Sequence, residues 1–425
     1  GALVAAGCSA PPGPRGWAGA QPVLIESQNM ILAAHKDDLY ALPDSTIPAW
    51  QFPPQDRSTY LLSAQAREDI GVLADDLGLE GNDAENIDRL IRDLTVEGTS
   101  VKALEDALDL VQGDDAAKKR LEDAIKTATT DEKDALRNVR ALYGSLGVSA
   151  DTNTTYVPTY GGWVFALNTR DGLSQWAFDA GDPLIGGVAV AGENVYFGTK
   201  GGNLFAVDAK TGAVVWATKL DGELWAKPFI DGDDLYATSL DGTVYRVAAS
   251  DGAIAWRHSL PAGVAAQAVV DDGTLYVGSF DNRLYAIDAA NGDRKWSFRA
   301  RNWIWAPAIV DGDTVYTASL DGNVYAVDAS SGAEKWRFDA GAPVRSAMVE
   351  AGDGLVAVSR DGEMFKLNLD DGQQIGGSIQ VGSRVEANLY VDAADQVYVV
   401  PRSPIVYVAD ASGELSPPGN FALPQ

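Results

Sequence analysis

Trp176, Trp216, Trp256, Trp296 and Trp336 stand 40 positions apart, each from the next. A fixed period of this length marks a chain built from copies of one supersecondary unit. A glycine lies four residues before each tryptophan, at Gly172, Gly212, Gly252, Gly292 and Gly332, and Gly372 continues the series where the tryptophan has become Gly376. With Asp171, Thr211, Asp251, Asn291 and Ser331 in front of them, these glycines form a polar-Gly turn signal.

Strand patterns fill the rest of each copy. About eleven residues before each tryptophan comes an alternating segment, as in Val164-Phe-Ala-Leu167, Leu204-Phe-Ala-Val207, Val244-Tyr-Arg-Val247, Leu284-Tyr-Ala-Ile287 and Val324-Tyr-Ala-Val327. A second lies further upstream, as in Asn194-Val-Tyr-Phe197 and Thr274-Leu-Tyr-Val277, preceded by an apolar triplet such as Ala268-Val-Val270. Four short strands per repeat, joined by Asp-Gly turns, make the blade of a β-propeller. Weaker copies flank the clear ones: residues 22–52 carry Leu39-Tyr-Ala-Leu42 and Trp50, and residues 388–413 carry Gln396-Val-Tyr-Val399 and Val406-Tyr-Val408 without a final tryptophan. The count is eight blades, with seven as the alternative. One blade cannot bury both faces of its sheet, so the blades must stack into a closed ring. The missing outer strand of the last blade is expected from the segment around Trp17 or from Asn420 to Leu423.

Between Trp50 and the strand near Val148 lie about 86 more residues than the repeat allows, and there the period turns helical. Ile87, Leu90, Ile91 and Leu94 share one face, as do Val101, Leu104, Leu108 and Val111, and later Leu136, Val139 and Leu142. Ser100 and Asp114 stand where caps belong, Gly98 and Gly113 where helices stop. The predicted fold is therefore all-β, an eight-bladed propeller of four-stranded blades with an α-helical insertion after the first blade. Residues 1–21 form a signal remnant and tether, 22–57 blade 1, 58–145 the insertion, and 146–425 blades 2–8. The insertion occupies an outer-to-inner connection, so it is expected on the face shared by the turns at Lys200-Gly-Gly202, Asp241-Gly242, Asp281-Asn282, Asp321-Gly322 and Arg360-Asp361.

Composition narrows the chemistry. Against 33 basic residues stand 60 acidic ones, a formal charge of −27, which repels nucleic acid and excludes it as an expected partner. A single cysteine, Cys8, rules out an intrachain disulfide and any Cys-based metal cluster. With only His35 and His258, zinc chemistry and a Ser-His-Asp triad have little to draw on, and no metal site is expected. The acidic turns Asp231-Gly-Asp-Asp234, Asp271-Asp-Gly273 and Asp311-Gly-Asp313 read as solvated hairpin turns rather than calcium loops. The apolar, small-residue start from Gly1 to Ser9 resembles the end of a bacterial lipoprotein signal, with Cys8 as the lipidated residue. The Pro- and Gly-rich stretch from Ala10 to Ala20 then reads as a flexible tether. Lipid on Cys8 is the expected membrane contact, with an extracytoplasmic location on a bacterial membrane.

The run of strand, Leu-Tyr-Ala-Val-Asp-Ala, Thr-Gly and tryptophan, best seen at Leu204 to Trp216 and Val324 to Trp336, resembles the pyrroloquinoline-quinone-type propeller repeat over roughly residues 20–415. That family includes quinone-dependent alcohol dehydrogenases, the BamB lipoprotein of the β-barrel assembly machine, and sensor ectodomains, so the resemblance implies the fold more than the function. Its dehydrogenases typically carry adjacent cysteines beside the cofactor, a feature a chain with one cysteine cannot supply. No cofactor is expected.

Departures from a repeat are where function can be written. Nine residues beyond each tryptophan stand Ile185, Trp225, Ala265, Trp305 and Arg345, with Glu386 aligning after a one-residue shift. Lys227, Gln267, Arg301, Trp303, Arg360 and Arg384 lie alongside. Exposed aromatic and arginine side chains anchor interfaces, which makes these ten non-apolar residues the candidate binding face. The alternative for Trp225 and Trp305 is a wedge between blades. The five periodic tryptophans are read as structural. The expected function is a non-enzymatic envelope scaffold, resembling the barrel-assembly lipoprotein, that meets protein partners through the loop face and the helical insertion. The alternatives are an extracytoplasmic quinone-dependent oxidoreductase and a glycan-binding module.

Overall fold

A computed structural model describes residues 21–25, 30–35, 38–43, 48–53, 142–149, 152–382, 384–401, 405–409 and 419–422, with a few helical positions between 116 and 126. Cys8, the tether, Trp17 and nearly all of the 58–145 insertion lie outside the described residues.

The described strands form eight antiparallel sheets of four, each made from strands consecutive in sequence. Blade 1 is built from Val23–Ile25, Met30–His35, Asp38–Pro43 and Trp50–Phe52. Blade 2 spans 147–179, blade 3 189–219, blade 4 229–259, blade 5 269–299, blade 6 309–339, blade 7 349–380 and blade 8 390–422. The count of eight holds, and the carboxy-terminal option supplies the last outer strand: Gly419–Ala422 pairs with Ile405–Ala409.

Blade 6 shows why the sequence reads as it does. Its third strand, Asn323–Asp328, buries Val324, Tyr325, Ala326 and Val327 alike, because neighbouring blades cover both sheet faces. The apparent alternation is therefore one of side-chain size, large against small, and every position counts for packing. Its outer strand, Glu334–Asp339, buries only Trp336 and leaves the rest at the rim.

Five of the joints between blades repeat one contact. Trp216 Nε1 of blade 3 donates to the Ala249 carbonyl of blade 4 at 2.9 Å, and Tyr196 Oη of blade 3 donates to the same oxygen at 3.4 Å. Trp176 and Tyr156 share Ala209 O, Trp256 and Tyr236 share Ala289 O, Trp296 and Tyr276 share Ala329 O, and Trp336 and Tyr316 share Leu369 O. A carbonyl has two lone pairs, and two donors from one blade fill both. The periodic tryptophans are thus structural. The glycine four residues before each serves the preceding blade as well as its own turn: a Cβ at Gly252 would stand 2.6 Å from Trp216 Cε3, and at Gly332 2.5 Å from Trp296 Cε3.

Two joints lack this clasp. In blade 7 the tryptophan has become Gly376 and the outer strand shrinks to Ile379–Gln380, so blade 8 is held by apolar packing of Val381, Val385 and Leu389. Blade 8 meets blade 1 through Tyr398, Val400 and Val406 against Ile31, Ala33, Tyr40 and Leu42, closing the ring by packing without strand exchange.

Candidate functional site at the ring axis

Every blade sends one connection toward the axis on a common face. The outer-to-inner loop and the turn between the second and third strands are tied there by a repeated bond: Lys200 N donates to Pro183 O, Leu240 N to Glu223 O, Phe280 N to Gly263 O, Leu320 N to Trp303 O and Arg360 N to Pro343 O. The turns named from sequence and the outer-to-inner loops therefore do share a face. Asp241, Asp281 and Asp321 spend Oδ1 on the amides of Thr243, Arg283 and Asn323 within their own turns. The Asp231–Asp234, Asp271–Asp272–Gly273 and Asp311–Asp313 turns join first to second strands at the opposite end of the blades. Among the described residues no three His, Cys, Asp or Glu side chains group as metal ligands.

The connections enclose an open cavity on the axis, to which all eight blades contribute. Gln21 comes from the entry to blade 1, Ser145 from blade 2, Ile185 from blade 3, Trp225 and Lys227 from blade 4, Ala265 and Gln267 from blade 5, Trp305 from blade 6, Arg345 from blade 7, and Glu386 and Asn388 from blade 8. The positions nine residues beyond the tryptophans are thus neighbours on one wall, because each stands at the same point of the approach to an inner strand. Trp225 and Trp305 are half-buried side chains of that wall, and Trp305 also touches Phe280 of blade 5 and Arg345 of blade 7.

Charge in the cavity is arranged in two groups. The Glu386 side chain is fully buried, and its Oε1 lies 3.9 Å from Arg345 Nη1, 3.6 Å from Arg360 Nη2 and 3.1 Å from Arg384 Nε. Among the described residues, three guanidiniums thus surround this one carboxylate. Arg360 and Arg384 reach Glu386 from the loop face, with about two-fifths of each side chain exposed. Across the axis, Lys227 makes no hydrogen bond or ion pair with a described residue, and desolvation holds its ammonium below the usual lysine range. Gln267 on the adjoining blade likewise spends none of its amide groups on a described partner.

An aromatic path leads outward from this charge. The Arg345 guanidinium lies 4.2 Å over the Trp305 ring, Trp305 packs on Phe280 at 4.9 Å, and Phe280 stacks on Trp303 at 4.5 Å with an interplanar angle of 22°. Trp303 is 42% exposed. On the other side, Trp225 Nε1 donates to Glu223 Oε2 at 2.7 Å.

The sequence-derived face therefore divides. Trp225, Lys227, Gln267, Trp305, Arg345 and Glu386 line the cavity; Arg360 and Arg384 join it through Glu386, and Trp303 through Phe280. Arg301 stands outside it, exposed, its amide donating to Asp321 Oδ2 at 2.8 Å. Sequence reasoning passed over Phe280, Gln21 and Tyr143. Phe280 had a signal: it replaces Lys200, Leu240, Leu320 and Arg360 at one repeat position. Tyr143, Gly144 and Ser145 are where the long connection from blade 1 returns, so that connection ends on the cavity wall.

Fold and repeat together define an eight-bladed β-propeller of the quinone-type repeat class. The chain belongs to the family described as outer membrane protein assembly factor BamB, whose model matches residues 160–298 and, in an overlapping register, 240–416. A search of curated proteins returned no match. Among solved structures, the crystal structure of BamB from Moraxella catarrhalis is similar at 23% identity and a TM-score of 0.57, covering 64% of this chain and 84% of that one. A computationally designed protein, Ika8, is similar at 15% identity and a TM-score of 0.56, covering 63% of this chain and 83% of that one. At these identities the likeness concerns the fold alone.

Proposed function

We propose that the chain is a non-enzymatic, BamB-like scaffold of the bacterial cell envelope that binds protein partners with its loop face, held at a membrane by lipid on Cys8. The observation that carries this reading is the convergence of the repeat's departures. Side chains of the types that anchor interfaces, Trp225, Trp305 and Arg345, come from three blades to one cavity, and Trp303 joins them through Phe280. Among the described residues, the other end of the ring carries short first-to-second and third-to-fourth strand turns. Family membership points the same way, and the insertion returning at Tyr143 brings a second candidate contact element to the same face.

Site-specific photo-crosslinking in intact cells tests it. A crosslinker at Asn302 or Lys200 on the loop face is expected to capture a discrete protein partner, and one at Asp233 or Asp313 on the opposite face to capture none. Equal capture from both faces would remove the reading. Replacing Cys8 with Ala is expected to release the protein from the membrane fraction.

A second reading draws on the same wall. Two tryptophans and the cations Lys227 and Arg345 also suit a flat polycarboxylate, as a quinone-dependent oxidoreductase would need. Calorimetric titration with pyrroloquinoline quinone and calcium decides between them: stoichiometric binding abolished by Trp305→Ala or Arg345→Ala would replace the scaffold by the enzyme.

A further inference from the structure

A chain carrying 27 net negative charges places Lys227 and Arg345, with the single carboxylate of Glu386, in its axial cavity. Lys227 enters the cavity from blade 4 without an ion-pair partner among the described residues, and Arg345, Arg360 and Arg384 crowd the single Glu386 from the side of blades 7 and 8. On the same face Glu223 accepts from Trp225 Nε1, and Asp241, Asp281 and Asp321 accept from their own turn amides. Among the described residues, an anionic visitor would meet the ammonium of Lys227 and the outward-reaching guanidiniums of Arg360 and Arg384 in a place of reduced dielectric, where charge-assisted hydrogen bonds are strongest.

The shape of the surroundings says what kind of anion. The strip of Trp305, Phe280 and Trp303 is continuous from the Arg345 guanidinium to exposed surface. It offers stacking and apolar contact beyond the reach of a small ion, in the direction an extended chain would leave the cavity. Gln267, on the blade between the two tryptophans, has both amide groups to offer a passing backbone. The acidic body of the protein does not oppose a short segment, because its charges are screened beyond about 8–10 Å at physiological salt.

We propose that the axial cavity recognises an acidic segment of the protein partner, seating one side-chain carboxylate between Lys227 and Arg345 while an adjacent aromatic residue lies on the Trp305–Phe280–Trp303 strip. The assignment rests on the scaffold reading and names the chemistry of its partner.

The probe is a terminally blocked, fluorescently labelled pentapeptide, Gly-Asp-Phe-Asp-Gly, compared by anisotropy with its Asn-for-Asp analogue on the full chain. The Asp peptide is expected to bind roughly tenfold or more tightly than the Asn peptide, the size of one charge-assisted hydrogen bond, and to weaken as salt rises. Lys227→Met should remove most of that discrimination, and Lys227→Glu should reverse it in favour of a Lys-for-Asp analogue. If a Lys227 variant does not fold, as judged by circular dichroism, Gln267→Glu is the second variant and should weaken the Asp peptide by setting a carboxylate beside the ammonium. Equal affinity for the Asp and Asn peptides, or discrimination indifferent to these variants, would overturn the proposal. The two readings fail separately. Loop-face crosslinks that persist in Lys227→Glu with no Asp preference leave the scaffold standing and remove the carboxylate pocket. Asp preference without any protein crosslink does the reverse.

Discussion

The Lys227 ammonium is held in a partly desolvated wall without an ion pair among the described residues, an arrangement that disfavours its charged form. The charged or titratable groups sharing the cavity are Arg345, Glu386 and the Tyr143 phenol. A lysine whose pKa falls on folding binds fewer protons in the native state than in the unfolded one, across the window between its lowered value and about 10.4. This group's contribution to stability therefore increases as pH rises through that window, and below it the cost of burying the charge is present in full. Lys227→Met, of similar length and uncharged, is expected to raise the thermal midpoint at neutral pH by a few degrees and to flatten the alkaline side of the stability profile. Both are readable by differential scanning calorimetry. A lower midpoint would mean that the ammonium is satisfied in the native state. A residue that costs stability while lining the axis is what a binding site, rather than a packing solution, would retain.

At the scale of the turn and the strand, one residue does two jobs. Gly332 has φ +71°, and its Cα lies against the Trp296 ring; Gly312 has φ +55° with nothing within 4 Å of a built Cβ. Alanine at either position meets the left-handed penalty of about 1–2 kcal/mol. Only Gly332→Ala also forces a methyl into the joint between blades 5 and 6, for which overpacking adds about 1–3 kcal/mol. Urea unfolding of the two variants is expected to separate them by that second amount, and equal losses would mean that the ring gives way at no cost. The sequence shows the glycine as a turn residue, since the polar-Gly pair and the 40-residue period are both local facts. It does not show the tryptophan of the preceding blade lying across it, because that contact depends on the stacking angle.

The same division governs the site. Counting nine from each tryptophan found Trp225, Trp305 and Arg345, since equal positions in equal blades converge on one axis. Gln21 has no tryptophan of the 40-residue series upstream to count from, and Arg301 fell outside because a charged residue in a loop carries no sign of which way it points.

For the whole ring, strength follows the clasps. The joints from blade 1 to blade 7 each have a tryptophan donor to a carbonyl of the next blade, whereas neither joint of blade 8 has such a donor among the described residues, apolar packing there being joined by the Glu386 ion pairs on one side and the Tyr390 bond to Leu24 O on the other. Opening is therefore expected to begin beside blade 8. Native-state hydrogen exchange should show the amides of Val397–Val399 and Ile405–Ala409 exchanging ahead of Thr274–Gly278 and Arg283–Asp288 of blade 5. The reverse order would place the ring's weak point elsewhere and deny the tryptophan clasp its role.

One clasp spans far more of the chain than the others. Trp50 donates to Thr169 O at 3.0 Å across a separation of 119 residues, whereas Trp216 reaches Ala249 across 33. Closing the longer loop costs only about 1 kcal/mol more, because loop entropy grows with the logarithm of length. The seam between the first two blades is thus a socket: the ring accepts a passenger of almost any length there, and the passenger emerges beside the axis. A lineage built on this ring could exchange what it carries at that point, and with it the company the protein keeps, while leaving every clasp as it stands.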